Sequence, residues 1–205
     1  MGKAEENKKT KRDSLLNTAF ELFTSQGLSN TSISDIALRA GVAKGTFYLY
    51  FKDKYDIRNH IIARKSEQFF NNAYADLKRS GITDYTESIL FLTDHILDAL
   101  CENKPLLAFI HKDLSWGVFR SALESGVTEE QVPFQQLFLQ HCKDCGVEVE
   151  EPEVMLFFLV ELIGSTAYSS IIHRDPIPPE ELKKHLHKLI PVIIRTYTQI
   201  APENK

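Results

Sequence analysis

The chain has 205 residues, 43% of them hydrophobic, enough to bury a substantial core in one or two domains. No apolar run reaches the about 18–20 residues of a membrane span, and Met1 to Arg12 is polar and lysine-rich with no secretory core, so a cytoplasmic protein without membrane contact is expected. The net charge of −4 divides unevenly: residues 1–65 hold 12 Lys and Arg against 7 Asp and Glu, residues 66–205 hold 12 against 21, so only the first part suits a polyanionic partner.

In chain order, residues 1–9 are too polar to predict order, and their lysines are either solvated or free to reach phosphates. A helix is expected from Lys9 to Gln26, with Leu15, Leu16, Ala19, Phe20, Leu22 and Phe23 as its apolar face and Gly27 ending it. Ser32 can cap a second helix, with Asp35 three residues on, where an acid complements free N–H groups. Ile33, Ile36 and Ala37 recur there at helical spacing, and Gly41 can turn the chain in a left-handed conformation. A short third helix is expected from Lys44 to Phe51. Phe47 and Phe51, four apart, face the core and leave Lys44, Thr46, Tyr48 and Tyr50 outward.

That outward set suits DNA. Lys44, Lys52 and Lys54 can neutralise phosphates. Thr46 and the hydroxyls of Tyr48 and Tyr50 can donate to phosphates or touch base edges. Gly45 removes a side chain where the backbone would approach a duplex, and Thr31 and Ser32 enter the same region. The plainer alternative is a small helical hairpin with solvated charges.

The run Ile36-Ala37, Ala40 to Tyr48, Tyr50-Phe51-Lys52 and Lys54, with Ala19, Phe20, Phe23, Gly27 and Thr31 upstream, closely resembles the DNA-binding region of TetR/AcrR-family transcriptional regulators. The resemblance covers roughly residues 9–65. It implies an all-α protein with a helix-turn-helix domain, residues 1–53, and a helical effector-binding and dimerisation domain, residues 54–205. It also implies a homodimer on a palindromic operator in double-stranded DNA, usually a repressor, and a long connecting helix with Lys54 at its start near phosphate.

That connecting helix is expected from Lys54 to Arg79, with Asp53 as its cap. Asp84 with Glu87 opens the next, to Asn103, and Pro105 opens another through His111. Trp116 to Ser125 reads as a short helix or irregular turn. Thr128 with Gln131 opens a helix to Cys145, which Gly146 stops. Glu151-Pro152 opens an apolar helix to Ile172, and Glu180 opens the last, to Ile200, bent near Pro191. No strand pair is expected.

Residues 154–172 are apolar nearly all round, as befits either the central helix of a monomeric bundle or a helix that also packs on a second subunit. Gly164, Ser165, Ala167, Ser169 and Ser170 would let a neighbour approach, and the last helix supplies Leu182, Leu186, Leu189, Ile190, Ile193 and Ile194. The resemblance implies a dimer seam made by these last two helices. It also implies an effector pocket, for which Phe91, His95, Phe109, Trp116, Phe138, Phe158 and Tyr168 are the candidates. Such a pocket would take an apolar or aromatic small molecule; each of these residues could equally be ordinary core. Cys142 and Cys145 form a lone C-x-x-C beside His141, which a metal or redox sensor could use, with Cys101 as a further ligand. Without a second such pair, no metal site and no cofactor are assigned. No phosphate loop, nucleophile elbow or H-E-x-x-H motif points to an enzyme.

Overall fold

The computed structural model describes residues 2–111 and 134–200. The expected turn at Trp116 to Ser125 and the Thr128–Gln131 box lie outside these. The chain divides into two compact units, Met1–Arg64 and Lys65–Lys205, and the division falls inside a long helix.

The first unit contains α1 (Lys3–Gln26), α2 (Ile33–Arg39), α3 (Lys44–Phe47) and the first turns of α4 (Lys54–Ser80). α1 starts six residues before its apolar face predicts. Those residues carry no hydrophobic period, but Glu5 and Glu6 lie in the first turn, where acids complement the exposed N–H groups. At α2 the Ser32 hydroxyl accepts from the Asp35 N–H at 3.1 Å, and the Asp35 carboxylate accepts from the Ser32 N–H at 3.1 Å. The Ser32 hydroxyl also donates to that carboxylate at 2.6 Å, and these bonds hold the Asp35 carboxyl below its usual range. Ser32→Ala is expected to destabilise the first unit by about 1 kcal/mol. Hydrogen exchange in α2 measures this, and unaltered protection there would show that the cap contributes nothing.

α3 is shorter than expected. The N–H groups of Leu49 and Tyr50 reach back three residues, to Thr46 and Phe47, at 3.2 and 3.0 Å. The chain tightens there into a turn instead of continuing to Phe51. Asp53 opens α4 by accepting from the N–H groups of Tyr55 and Asp56 at 2.7 and 2.9 Å. The core gathers Leu15, Leu16, Ala19, Leu22 and Phe23 of α1 around Ile36, Ala37, Phe47, Phe51, Ile57 and Ile61. The Ser14 hydroxyl donates to the Ala40 carbonyl at 3.1 Å, and Arg64 pairs with Asp13 at 2.6 Å.

The second unit holds the rest of α4 with α5 (Tyr85–Glu102), α6 (Lys104–His111), α7 (Phe134–Asp144), α8 (Pro152–Tyr168) and α9 (Pro179–Tyr197). Asp84 caps α5 through the Glu87 N–H at 2.9 Å, and Gly146, at φ 64°, ends the turn after α7. α8 runs on into a π-helical turn, Ser169–His173. Met155 and Leu159 of α8 and Leu186, Ile190 and Ile194 of α9 are buried. α9 continues through Pro191 and stops at Tyr197.

Two expectations are corrected here. A strand pair does exist: β1 (Val147–Val149) and β2 (Thr198–Ile200) form an antiparallel ribbon, Val147 opposite Ile200. Three-residue strands fifty residues apart leave no pattern to read. Also, Pro152–His173 is 22 residues long and apolar enough to cross a membrane by length and composition, because the π turn extends α8 without a break. About one third of it is buried within the chain, and the core helix of a bundle passes the same test.

Candidate nucleic-acid interface and ligand cavity

The first unit presents a continuous outward face around α3. Phe47 is fully buried and Phe51 is 2% exposed; their ring centroids lie 5.6 Å apart. These two rings anchor the segment from below. Lys44, Gly45 and Lys52 are exposed, Thr46 and Tyr50 half-buried, and Tyr48 is 53% exposed, its ring edge-on to Phe47. A Cβ added at Gly45 would meet nothing within 4 Å, so the glycine leaves a flat, open patch of backbone. Two ammonium groups, a threonine and a phenol around an open backbone can contact phosphates and base edges.

Sequence reasoning left out Leu49, which is 78% exposed between the two tyrosines. An apolar residue in a helical segment reads as core, and only the tightened turn after α3 shows otherwise. Its place beside Tyr48 suits contact with thymine methyls.

Three expected DNA contacts are placed differently. Thr31 is 1% exposed; its hydroxyl donates to the Gly27 carbonyl at 2.9 Å and accepts from the Gln26 amide at 3.3 Å, so it fixes the turn into α2. Ser32 is exposed, but its hydroxyl serves the cap. The Lys54 ammonium donates to the Leu28 carbonyl at 3.0 Å and ties α4 to the loop before α2.

Wholly within the second unit lies a cavity of about 160 Å³. α4 contributes Ser66, Phe69, Phe70 and Tyr74; α5 contributes Ile89, Leu92, Thr93, Ile96 and Leu100. α7 adds Leu137, Phe138 and His141, and α8 adds Leu156, Leu159, Val160, Ile163 and Gly164. Of the expected pocket residues, Phe138 is in this lining. Phe91, His95, Phe109, Phe158 and Tyr168 are not, and Trp116 lies outside the described residues. The reason is helical phase. α5 turns 89, 92, 93, 96 and 100 to the cavity, whereas Phe91 and His95 stack on another face, where His95 lies 3.5 Å from Asp76. Phe158 is 46% exposed, and Tyr168 sets its ring against His173. Phe109 is half-buried on α6. The missed walls are Phe69, Phe70 and Tyr74. The four-residue step from Phe70 to Tyr74 in α4 was legible, but that helix reads first as a connector.

Cys142 is buried with its sulfur 3.8 Å from the Tyr85 hydroxyl, and Cys145 lies 3.6 Å from His141 Nε2. Burial pushes both thiols up, away from the thiolate that binds metal or reacts. Among the described residues no group of three His, Cys, Asp or Glu is placed to hold a metal ion. Ala167 and Ser170, expected to admit a neighbouring helix, are buried within the chain, and Gly164 faces the cavity.

Residues 15–61 match the family described as bacterial regulatory proteins, tetR family. The uncharacterized HTH-type transcriptional regulator YvdT of Bacillus subtilis is 33% identical over 106 residues, 51% of this chain and 48% of that protein. The chain thus spans about half the length of this curated relative. A TetR transcriptional regulator from Rhodococcus sp. RHA1 shares the fold at TM-score 0.66 and 16% identity, over 92% of this chain and 97% of that one. SmeT, the repressor of the Stenotrophomonas maltophilia multidrug efflux pump SmeDEF, does so at TM-score 0.56 and 18% identity, over 92% and 90%. Residues 15–61 thus carry the tetR-family signature across the buried-phenylalanine head, and the chain shares the fold of solved TetR regulators over most of its length.

Proposed function

We propose that the chain is a homodimeric repressor that reads a palindromic operator through Lys44 to Tyr50 and releases it when a small apolar or aromatic molecule occupies the second unit. The observation that carries this reading is the outward face at α3: Lys44, Gly45, Tyr48 and Lys52 exposed over two buried phenylalanine rings. Two-fold symmetry would present two such faces to two half-sites. An exposed apolar set supports the dimer. Val154, Phe157 and Phe158 of α8 and Leu189 and Val192 of α9 are each 37–50% exposed in the single chain. These are the two helices in which the resemblance puts the seam, and such a patch calls for a cover.

The cavity supports the effector. A ligand shifts the balance between operator-binding and released conformations only by its different affinity for the two. The raised thiols of Cys142 and Cys145 weigh against a metal or redox sensor. The reading places the protein in the cytoplasm, with no membrane partner.

A fluorescence-anisotropy titration against DNA from upstream of the chain's own gene, at two salt concentrations, tests it. Saturation at two subunits per site is expected, with scrambled DNA bound much more weakly. Lys44→Ala should lower the slope of log affinity against log salt by about 1.8, the share of one phosphate contact from each of the two subunits. Equal affinity for both DNAs would leave only charge attraction and sink the operator assignment.

A further inference from the structure

The lining of the second unit's cavity is apolar but for a few side chains, two of which, on α4 and α7, stand side by side. Among the described residues, Ser66, Tyr74, Thr93 and His141 carry its polar side-chain atoms, and no Asp, Glu, Lys or Arg belongs to it. The Thr93 hydroxyl is spent on the Ile89 carbonyl of its own helix at 2.8 Å. Tyr74 and His141 stand together, rings perpendicular and centroids 5.9 Å apart. The Tyr74 hydroxyl is shut off from solvent and has no hydrogen-bond partner among the described residues. Buried hydroxyls are ordinarily paired, so this one is a donor and acceptor left open beside a cavity.

His141 supplies the complementary group. Its ring lies 5.8 Å from that of Tyr85, and burial pushes its pKa down. The neutral imidazole carries one donor and one acceptor nitrogen; Nε2 lies 3.6 Å from the Cys145 sulfur, so a ligand there displaces only a weak thiol contact. Lys78 holds its ammonium 5.2 Å from the Tyr74 ring centroid, but it is exposed and is not among the lining residues. An ionised ligand group would therefore enter a largely apolar space with no opposite charge among the described wall residues, which costs far more than burying a hydrogen-bonded neutral group.

We infer that the cavity selects an uncharged ligand, a small apolar chain or ring bearing one carbonyl, amide or hydroxyl group that engages Tyr74 and His141. This rests on the effector reading of the cavity and narrows it to a chemical class. Octanamide and octanoate test it, since they match in length and size and differ in charge. Isothermal titration calorimetry of the full chain at pH 7.5 should give octanamide an affinity at least tenfold tighter than octanoate. Tyr74→Phe, which removes only an unpaired hydroxyl and so keeps the fold, should weaken octanamide roughly tenfold and leave octanoate unchanged. Octanoate binding as tightly as octanamide, or Tyr74→Phe binding octanamide like the unmodified chain, would overturn the inference and leave the effector cavity standing. Heat from neither compound would overturn the effector reading of this cavity, and the inference with it.

Discussion

Phe47→Ala is expected to unfold the first unit and leave the second one folded. Phe47 is fully buried, and its ring contacts Phe51 and Tyr48 within the small core that α1, α2 and the start of α4 close. Removing a buried phenylalanine ring costs about 3–5 kcal/mol, through lost transfer energy and an unfilled cavity. A domain of this size has little more than that in reserve. Hydrogen exchange followed by mass spectrometry on the full chain separates the units: protection across Leu15–Ile62 should collapse while protection across α5 and α9 persists. Leu49→Ala is the control. It removes an apolar side chain of similar length two positions away, but one that is 78% exposed, so protection should be unchanged. Retained protection in Phe47→Ala would mean that the anchoring of the outward face has been misread.

Tyr48→Ala is expected to cut operator affinity roughly ten- to a hundredfold, the share of about 1–3 kcal/mol of a good base contact. The fold should be untouched, because Tyr48 is 53% exposed and its ring meets Phe47 edge-on. The loss should be selective, with scrambled DNA bound almost as before, since the phosphate contacts proposed above belong to Lys44 and Lys52. Tyr48→Phe divides the loss between hydroxyl and ring. Unchanged operator affinity in Tyr48→Ala, measured by the same anisotropy titration, would remove this residue from the reading face.

Much of the fold was legible because its punctuation is local. Ser32 with Asp35, Asp53 ahead of Tyr55, and Asp84 with Glu87 each satisfy free N–H groups within three residues, so side-chain chemistry announces the helix starts. The first turns of α1 were not legible, because Lys3 to Lys9 has no apolar face to betray its period. The ribbon was hidden for the opposite reason: pairing Val147–Val149 with Thr198–Ile200 depends on contacts far apart in the chain. For the candidate site, exposure was the missing information. Residue type alone did not give the burial of Thr31, polar and 1% exposed, or the exposure of Leu49, apolar and 78% exposed. In the cavity, choosing aromatics without fixing the phase of α5 and α8 selected the wrong faces, and the aliphatic walls Ile89, Leu92 and Leu159 carried no signal that separated them from core.

The open space above Gly45 has an evolutionary consequence. A glycine inside a helix is less stable than alanine by about 0.5–1 kcal/mol, and here no neighbouring atom stands in the way of a larger residue. Selection for folding alone would therefore drift away from glycine at this position. In the proposed operator complex, selection for contact with a particular DNA surface is what would hold it, so in a lineage whose operator changes, position 45 would be free to follow the DNA without passing through a misfolded intermediate.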